Sequence, residues 1–162
     1  VEPAMNAVTF WRLLHELSLF LYMAGIGATM APVYRAWRSE DVRVQMHAFQ
    51  QAAANETALL LPGALLSGAT GVFLGAAAGY HFVKDGWLLA LWLLYVVSTF
   101  ICLPLLGLGL RRARLLALQA AKTGKITPEL RDALNDNVPI VFGTAIIVLS
   151  VLMAWLAIAK PF

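Results

Sequence analysis

Between Thr57 and Tyr80 the chain reads TALLLPGALLSGATGVFLGAAAGY, about 24 residues without a charge. At about 1.5 Å of rise per residue, a helix of that length crosses the apolar core of a bilayer. Its small residues are ordered. Gly63, Ser67, Gly71, Gly75 and Gly79 recur at every fourth position and so form one seam along a single helical face. Gly71–Gly75 and Gly75–Gly79 are overlapping GxxxG units, which let another backbone approach closely. In lipid, helix association relies on packing and hydrogen bonds, so the seam marks a packing face. A neighbouring helix, a partner subunit or a flat cofactor would each suit it.

Three further apolar runs cover about residues 10–34, 87–110 and 138–159. With 60% hydrophobic and 13% charged residues among 162, too little polar surface remains for a water-soluble domain. The expected fold is all-α: one integral membrane domain over residues 1–162, an up-down four-helix bundle with helical extensions beyond the membrane. Twelve Lys and Arg against nine Asp and Glu give a net charge of +3. The basic residues gather beside the spans, so they read as a topology signal and not as a nucleic-acid footprint. Cys102 is the lone cysteine, which excludes an intramolecular disulfide. The first run is too long for a cleaved leader and reads as a retained anchor.

Residues 1–8, with Pro3, read as a short leader of little structure. Trp11 and Tyr34 belong near the two interfaces, and Arg12 can snorkel to the surface. After Trp37, Ser39 reads as an N-cap with Glu40 and Asp41 in the first turn. That helix is expected to run without a break into the second span, where Pro62 is placed to kink it. Residues 83–86 make a tight link. The third helix is expected to continue past Arg111, Arg112 and Arg114 and to stop at Thr123-Gly124-Lys125. Thr127-Pro128 reads as a helix start, with Thr as N-cap and Pro at the first position.

Arg35, Arg38 and Arg43 lie in the first connection; Arg111, Arg112, Arg114, Lys122, Lys125 and Arg131 lie in the third; the second has only Lys84. The positive-inside rule places the first and third connections in the cytoplasm and both termini outside.

Polar groups inside spans are costly, which draws attention to His15 and Glu16 in the first span and His81 at the outer end of the second. His47 lies on the inner extension, too far along the helix to share a metal with His15. A histidine on a bundle interior suits axial ligation of haem b, with His15 and His81 as the pair and the Gly71–Gly75 seam as a wall for the macrocycle. The competing reading bonds His15 to a neighbouring helix and leaves His81 solvated. Asn55-Glu56 and Asn135-Asp136-Asn137 lie near the inner surface. They suit a polar pocket for quinone, porphyrin propionates or a proton path, and equally helix caps and surface ion pairs. Arg111 is the candidate contact for a propionate; lipid headgroups are the alternative. Met23, Met30 and Cys102 are soft ligands too dispersed for a copper motif.

Trp11-Arg12-Leu13-Leu14-His15, then Met23-Ala24-Gly25 and Pro32, resembles the first helix of the HemJ-type bacterial protoporphyrinogen oxidases. Pro62 in the Gly-rich second helix, Gly86-Trp87, Asn135 to Pro139 and Lys160-Pro161-Phe162 follow in the same order. The chain is also similar to a family of predicted four-helix bacterial membrane proteins and, more distantly, to CopD-type copper-resistance membrane domains. The HemJ resemblance implies haem binding at the position of His15. It also implies an essential Lys four residues after the third-helix Trp, where this chain has Leu91, so porphyrinogen oxidation loses its polar group.

Two function classes follow. One is a haem b electron-transfer protein or small redox subunit. The other is a non-redox accessory or assembly subunit that packs through its glycine seam. Both imply the lipid bilayer and either other membrane subunits or a homo-oligomer as partners.

Overall fold

The computed structural model describes residues 6–161 and is 86% helix, with no strand among those residues. The leader's residues 1–5 and Phe162 lie outside the described residues. Helix α1 spans Ala7–Trp37, earlier than the apolar run suggests, because the Asn6 side chain accepts the Thr9 N–H and caps it. The second span is one continuous helical rod: α2 (Val42–Asn55), a wide π-turn (Glu56–Leu60) and α3 (Leu61–Ala77). Its cap is Asp41, whose carboxylate takes the Arg43 N–H; Ser39 instead accepts the Asp41 N–H. The expected Ser39 cap is corrected by two residues, since the Asp41 carboxylate stands at the helix start itself. The expected span 57–80 also overreaches: α3 ends at Ala77, and Gly79 lies past it in a left-handed turn.

The third span repeats the pattern with α4 (Gly86–Val97), a second π-turn (Ser98–Cys102) and α5 (Leu103–Thr123). Gly124, at φ +69°, ends α5 as the sequence indicates. Thr127 caps α6 (Pro128–Leu134), and α7 covers Val138–Ala159. At the start of α6, hydrogen bonds from its own N–H and from Thr127 hold the exposed Glu129 carboxyl below its ordinary pKa.

Both π-turns have one cause. Pro62 and Pro104 each follow two residues after a π-turn. A proline has no N–H for the carbonyl four residues back, and its ring crowds that carbonyl. Widening the preceding turn, so that Leu61 N–H reaches Glu56 O and Leu103 N–H reaches Ser98 O, relieves the crowding without breaking the rod.

Helix α1 packs along the whole second rod, and α7 along the third; α1 meets α7, and α2 meets α5 and α6. Four helices are long and apolar enough to cross a membrane. Packing is tightest at the end rich in Arg and Lys, called the basic end below. There Ala48 and Ala52 of α2, and Ala113 and Ala117 of α5, are fully buried beside Leu106, Leu110 and Leu130. Toward the other end α4 has one buried residue, Leu88. The gap between α3 and α4 there is bridged by aromatic rings: Tyr95 against Gly68, Phe82 against Gly75, with Trp92 edge-on to both rings.

Candidate functional site

Two glycines set the closest approach in the bundle. A Cβ at Gly25 would stand 2.5 Å from Leu60 Cα, and one at Gly63 would stand 2.6 Å from Tyr22 Cα. Backbone therefore meets backbone where α1 crosses the second rod. The glycine seam is filled from within the chain: Gly63 by α1, Gly71 by the His15 ring and Gly75 by the Phe82 ring. Gly79 faces open space, and the seam presents no free packing face.

His15 joins two helices. Its Nδ1 lies 3.1 Å from Thr70 Oγ1 on α3. The Thr70 hydroxyl donates to Leu66 O at 2.7 Å, so it accepts from the His15 Nδ1–H. That assigns the proton to Nδ1 and leaves the Nε2 lone pair without a proton. Ser18 completes the cluster, donating to His15 O at 2.8 Å and lying 3.0 Å from Thr70 Oγ1. His81 is elsewhere. Gly71, opposite His15, precedes the end of α3 by six residues, or about 9 Å of helix. His81 lies beyond that end, exposed in the turn, where its N–H is bound to the Asp85 carboxylate at 2.8 Å.

Haem b with two histidine ligands would need both imidazoles to reach one iron from opposite faces. The structure does not bring His15 and His81 together, and Gly71 and Gly75 already touch His15 and Phe82 rather than offering a bare wall. Two concavities lie elsewhere, one at the basic end and a shallow one along α4, the second π-turn and α7. Among the described residues no three His, Cys, Asp or Glu side chains gather as a metal site.

Arg111 is also engaged. Its guanidinium lies 3.6 Å from the Glu56 carboxylate, which is 2% exposed, whereas the Arg111 side chain is 48% exposed. Thr57 donates to the same carboxylate oxygen at 3.1 Å. Gly107 makes room, since a Cβ there would stand 2.8 Å from Glu56 Oε1. Asn55 donates to Ala28 O of α1 at 2.7 Å. The polar cluster expected from Asn55, Glu56 and residues 135–137 therefore divides in two. Asn55 and Glu56 tie helices together, and Asn135, Asp136 and Asn137 line the concavity at the basic end.

The sequence reading missed the hydroxyls. Tyr22 OH lies 3.2 Å from Ser98 Oγ and 3.5 Å from Ser150 Oγ, linking α1, the second π-turn and α7. Tyr95 OH donates to Ala64 O at 2.9 Å, and Tyr34 OH lies 2.8 Å from Thr144 Oγ1. A signal was present on α1: Ser18, Tyr22, Gly25 and Thr29 recur at steps of four, three and four, which is one helical face. All four are buried.

No curated protein and no solved structure matches the chain significantly. The comparisons lend no support to the HemJ or CopD likeness. Residues 9–161 match the family described as predicted integral membrane protein (DUF2269), and the chain belongs to that family of membrane proteins.

Proposed function

We propose that the protein is a non-redox accessory subunit of a bacterial inner-membrane assembly, a stiff four-helix unit that offers its apolar outer surface to a partner. The supporting observation is the use made of His15: its ring closes the contact between α1 and α3 through Thr70 and Gly71. Tyr22, Tyr34, Tyr95, Asn55 and Glu56 likewise connect helices of this chain. The partner surface in this reading is the shallow groove of about 620 Å³ lined by Val97, Cys102, Ile140, Val141, Thr144, Ala145, Val148 and Leu149. Its aliphatic lining suits contact with an apolar helix face, with Thr144 and Ala145 leaving room at the centre. Purified protein is expected to give no haemochrome on pyridine extraction. His15→Ala is expected to lose about 1–2 kcal/mol of stability in detergent with no change in the visible spectrum.

One observation favours a second reading, haem b held by His15 alone. The Nδ1–H bond to Thr70 leaves Nε2 in the form an axial ligand needs. Stoichiometric haem in the wild type, lost in His15→Ala, would overturn the accessory reading in favour of this one.

In either case the basic end faces the cytoplasm, because Arg and Lys concentrate there. A cysteine placed at Lys84 is expected to react with an impermeant reagent in intact cells. Reaction only after lysis would reverse the orientation.

A further inference from the structure

We infer that the concavity at the basic end binds an organic ammonium group. It has a volume of about 200 Å³ and lies where α1, α2 and the α6–α7 link meet. Trp37 and Phe49 supply aromatic walls; Gln45, Asn135, Asp136 and Asn137 supply the polar lining. The lining contains no Lys or Arg, although basic residues crowd this end of the bundle.

Gln45 and Asp136 each have an acceptor oxygen to spare, and Asn135 and Asn137 carry both donors and acceptors. The Gln45 side chain, 8% exposed, donates its Nε2–H to Ser39 O at 2.7 Å. Only the amide nitrogen can make that bond, so Oε1 is left to accept. Asp136 uses Oδ1 for the Val138 N–H at 2.9 Å, which leaves Oδ2 for a ligand. A carboxylate oxygen, an amide oxygen and aromatic rings together favour a cation and disfavour a phosphate or carboxylate. The size argues for an organic cation. At about 30 Å³ per water, the space is that of roughly six or seven waters, far more than a bare metal ion fills. A tight Ca²⁺ site would also need six or more oxygens drawn to about 2.4 Å. An aminoethyl or quaternary ammonium group fits the space, and a porphyrin is too large for it.

Position makes two sources available. Val33 and Pro139 belong to the apolar spans, while Gln45 and residues 135–137 lie outside them, so the membrane surface passes through the site. The ammonium can belong to a lipid headgroup or to a free amine. The test uses the full chain in detergent, with ethanolammonium and choline chlorides titrated by calorimetry. In parallel, native mass spectrometry measures retention of phosphatidylethanolamine against phosphatidylglycerol. Asp136→Asn keeps a side-chain oxygen for the cap and removes the charge.

Saturable binding of a free amine, weakened about tenfold or more by Asp136→Asn at unchanged melting temperature, supports a soluble ligand. Selective retention of phosphatidylethanolamine, lost in Asp136→Asn and without free-amine binding, supports a lipid headgroup. Failure to bind a free amine together with no preference for phosphatidylethanolamine over phosphatidylglycerol, or binding indifferent to Asp136→Asn, overturns the inference.

Discussion

Gly25→Ala and Gly63→Ala are expected to destabilise the bundle by about 2–3 kcal/mol or more, at the upper end for added methyl groups. Gly27→Ala, two residues away on the same helix, is expected to be neutral or slightly stabilising. A methyl at Gly25 or Gly63 would stand 2.5–2.6 Å from the backbone of the opposing helix, whereas at Gly27 nothing lies within 4 Å. Backbone cannot rotate aside as a side chain does, so α1 and α3 would have to separate. Separation would loosen the His15–Thr70 bond about two turns further on. At Gly27 the change only removes the conformational freedom of glycine, worth about 0.5–1 kcal/mol in favour of the helix. Gly71→Ala and Gly75→Ala should fall between, because the methyl would meet the movable rings of His15 and Phe82. Thermal unfolding in a fixed detergent gives the ranking. Equal tolerance at Gly25 and Gly27 would rule out the backbone contact between α1 and the second rod.

The Glu56–Arg111 pair is expected to be asymmetric under mutation. Arg111→Met should cost about 3 kcal/mol or more, because it leaves a carboxylate buried at 2% exposure without its counter-charge. Glu56→Gln should cost less, about 1 kcal/mol, because Arg111 is half exposed and can turn to water or headgroups. The double variant should recover much of the loss seen in Arg111→Met, since the stranded charge is then gone. Denaturant unfolding of the four proteins closes the cycle. Equal costs for the two single variants would mean that Glu56 reaches water as readily as Arg111 does.

The sequence and the structure agree where a local rule decides. Apolar runs mark the spans, Thr127-Pro128 starts α6, and Gly124 stops α5, because each depends on local sequence alone. The choice of Asp41 over Ser39 escaped because both are good caps two residues apart. The seam was legible as a packing face, but its occupants were not. The complementary glycine, Gly25, lies 38 positions before Gly63, and the Ser18, Tyr22, Gly25, Thr29 face it belongs to does not say which helix it meets. For Glu56 the sequence offers the arginines of the third connection as partners on the same side of the membrane; that it meets Arg111, and that Gly107 makes the room, is set by helix pairing. For His15 the sequence demanded a partner and left its kind open; the structure supplies Thr70, a residue too ordinary in a Gly-rich helix to stand out.

The two proline-driven π-turns divide the bundle into unlike mechanical parts. On the basic side, alanine and leucine faces interlock and the rods are welded. On the far side, the outer halves of α3 and α4 form a hairpin joined by residues 78–85. Tyr95 and a run of aromatic edges hold the two arms of that hairpin together, and the Thr70 cluster ties it to α1. Backbone bonds in a widened turn resist bending less than those of a regular helix, so Glu56–Leu60 and Ser98–Cys102 are where the two rods bend most readily. A bend there would carry the hairpin against the outer half of α1, and the Gly63 contact and the Thr70 cluster oppose it. A partner bound along the α4–α7 groove would sit beside the second turn and add a restraint where the rod is most pliable.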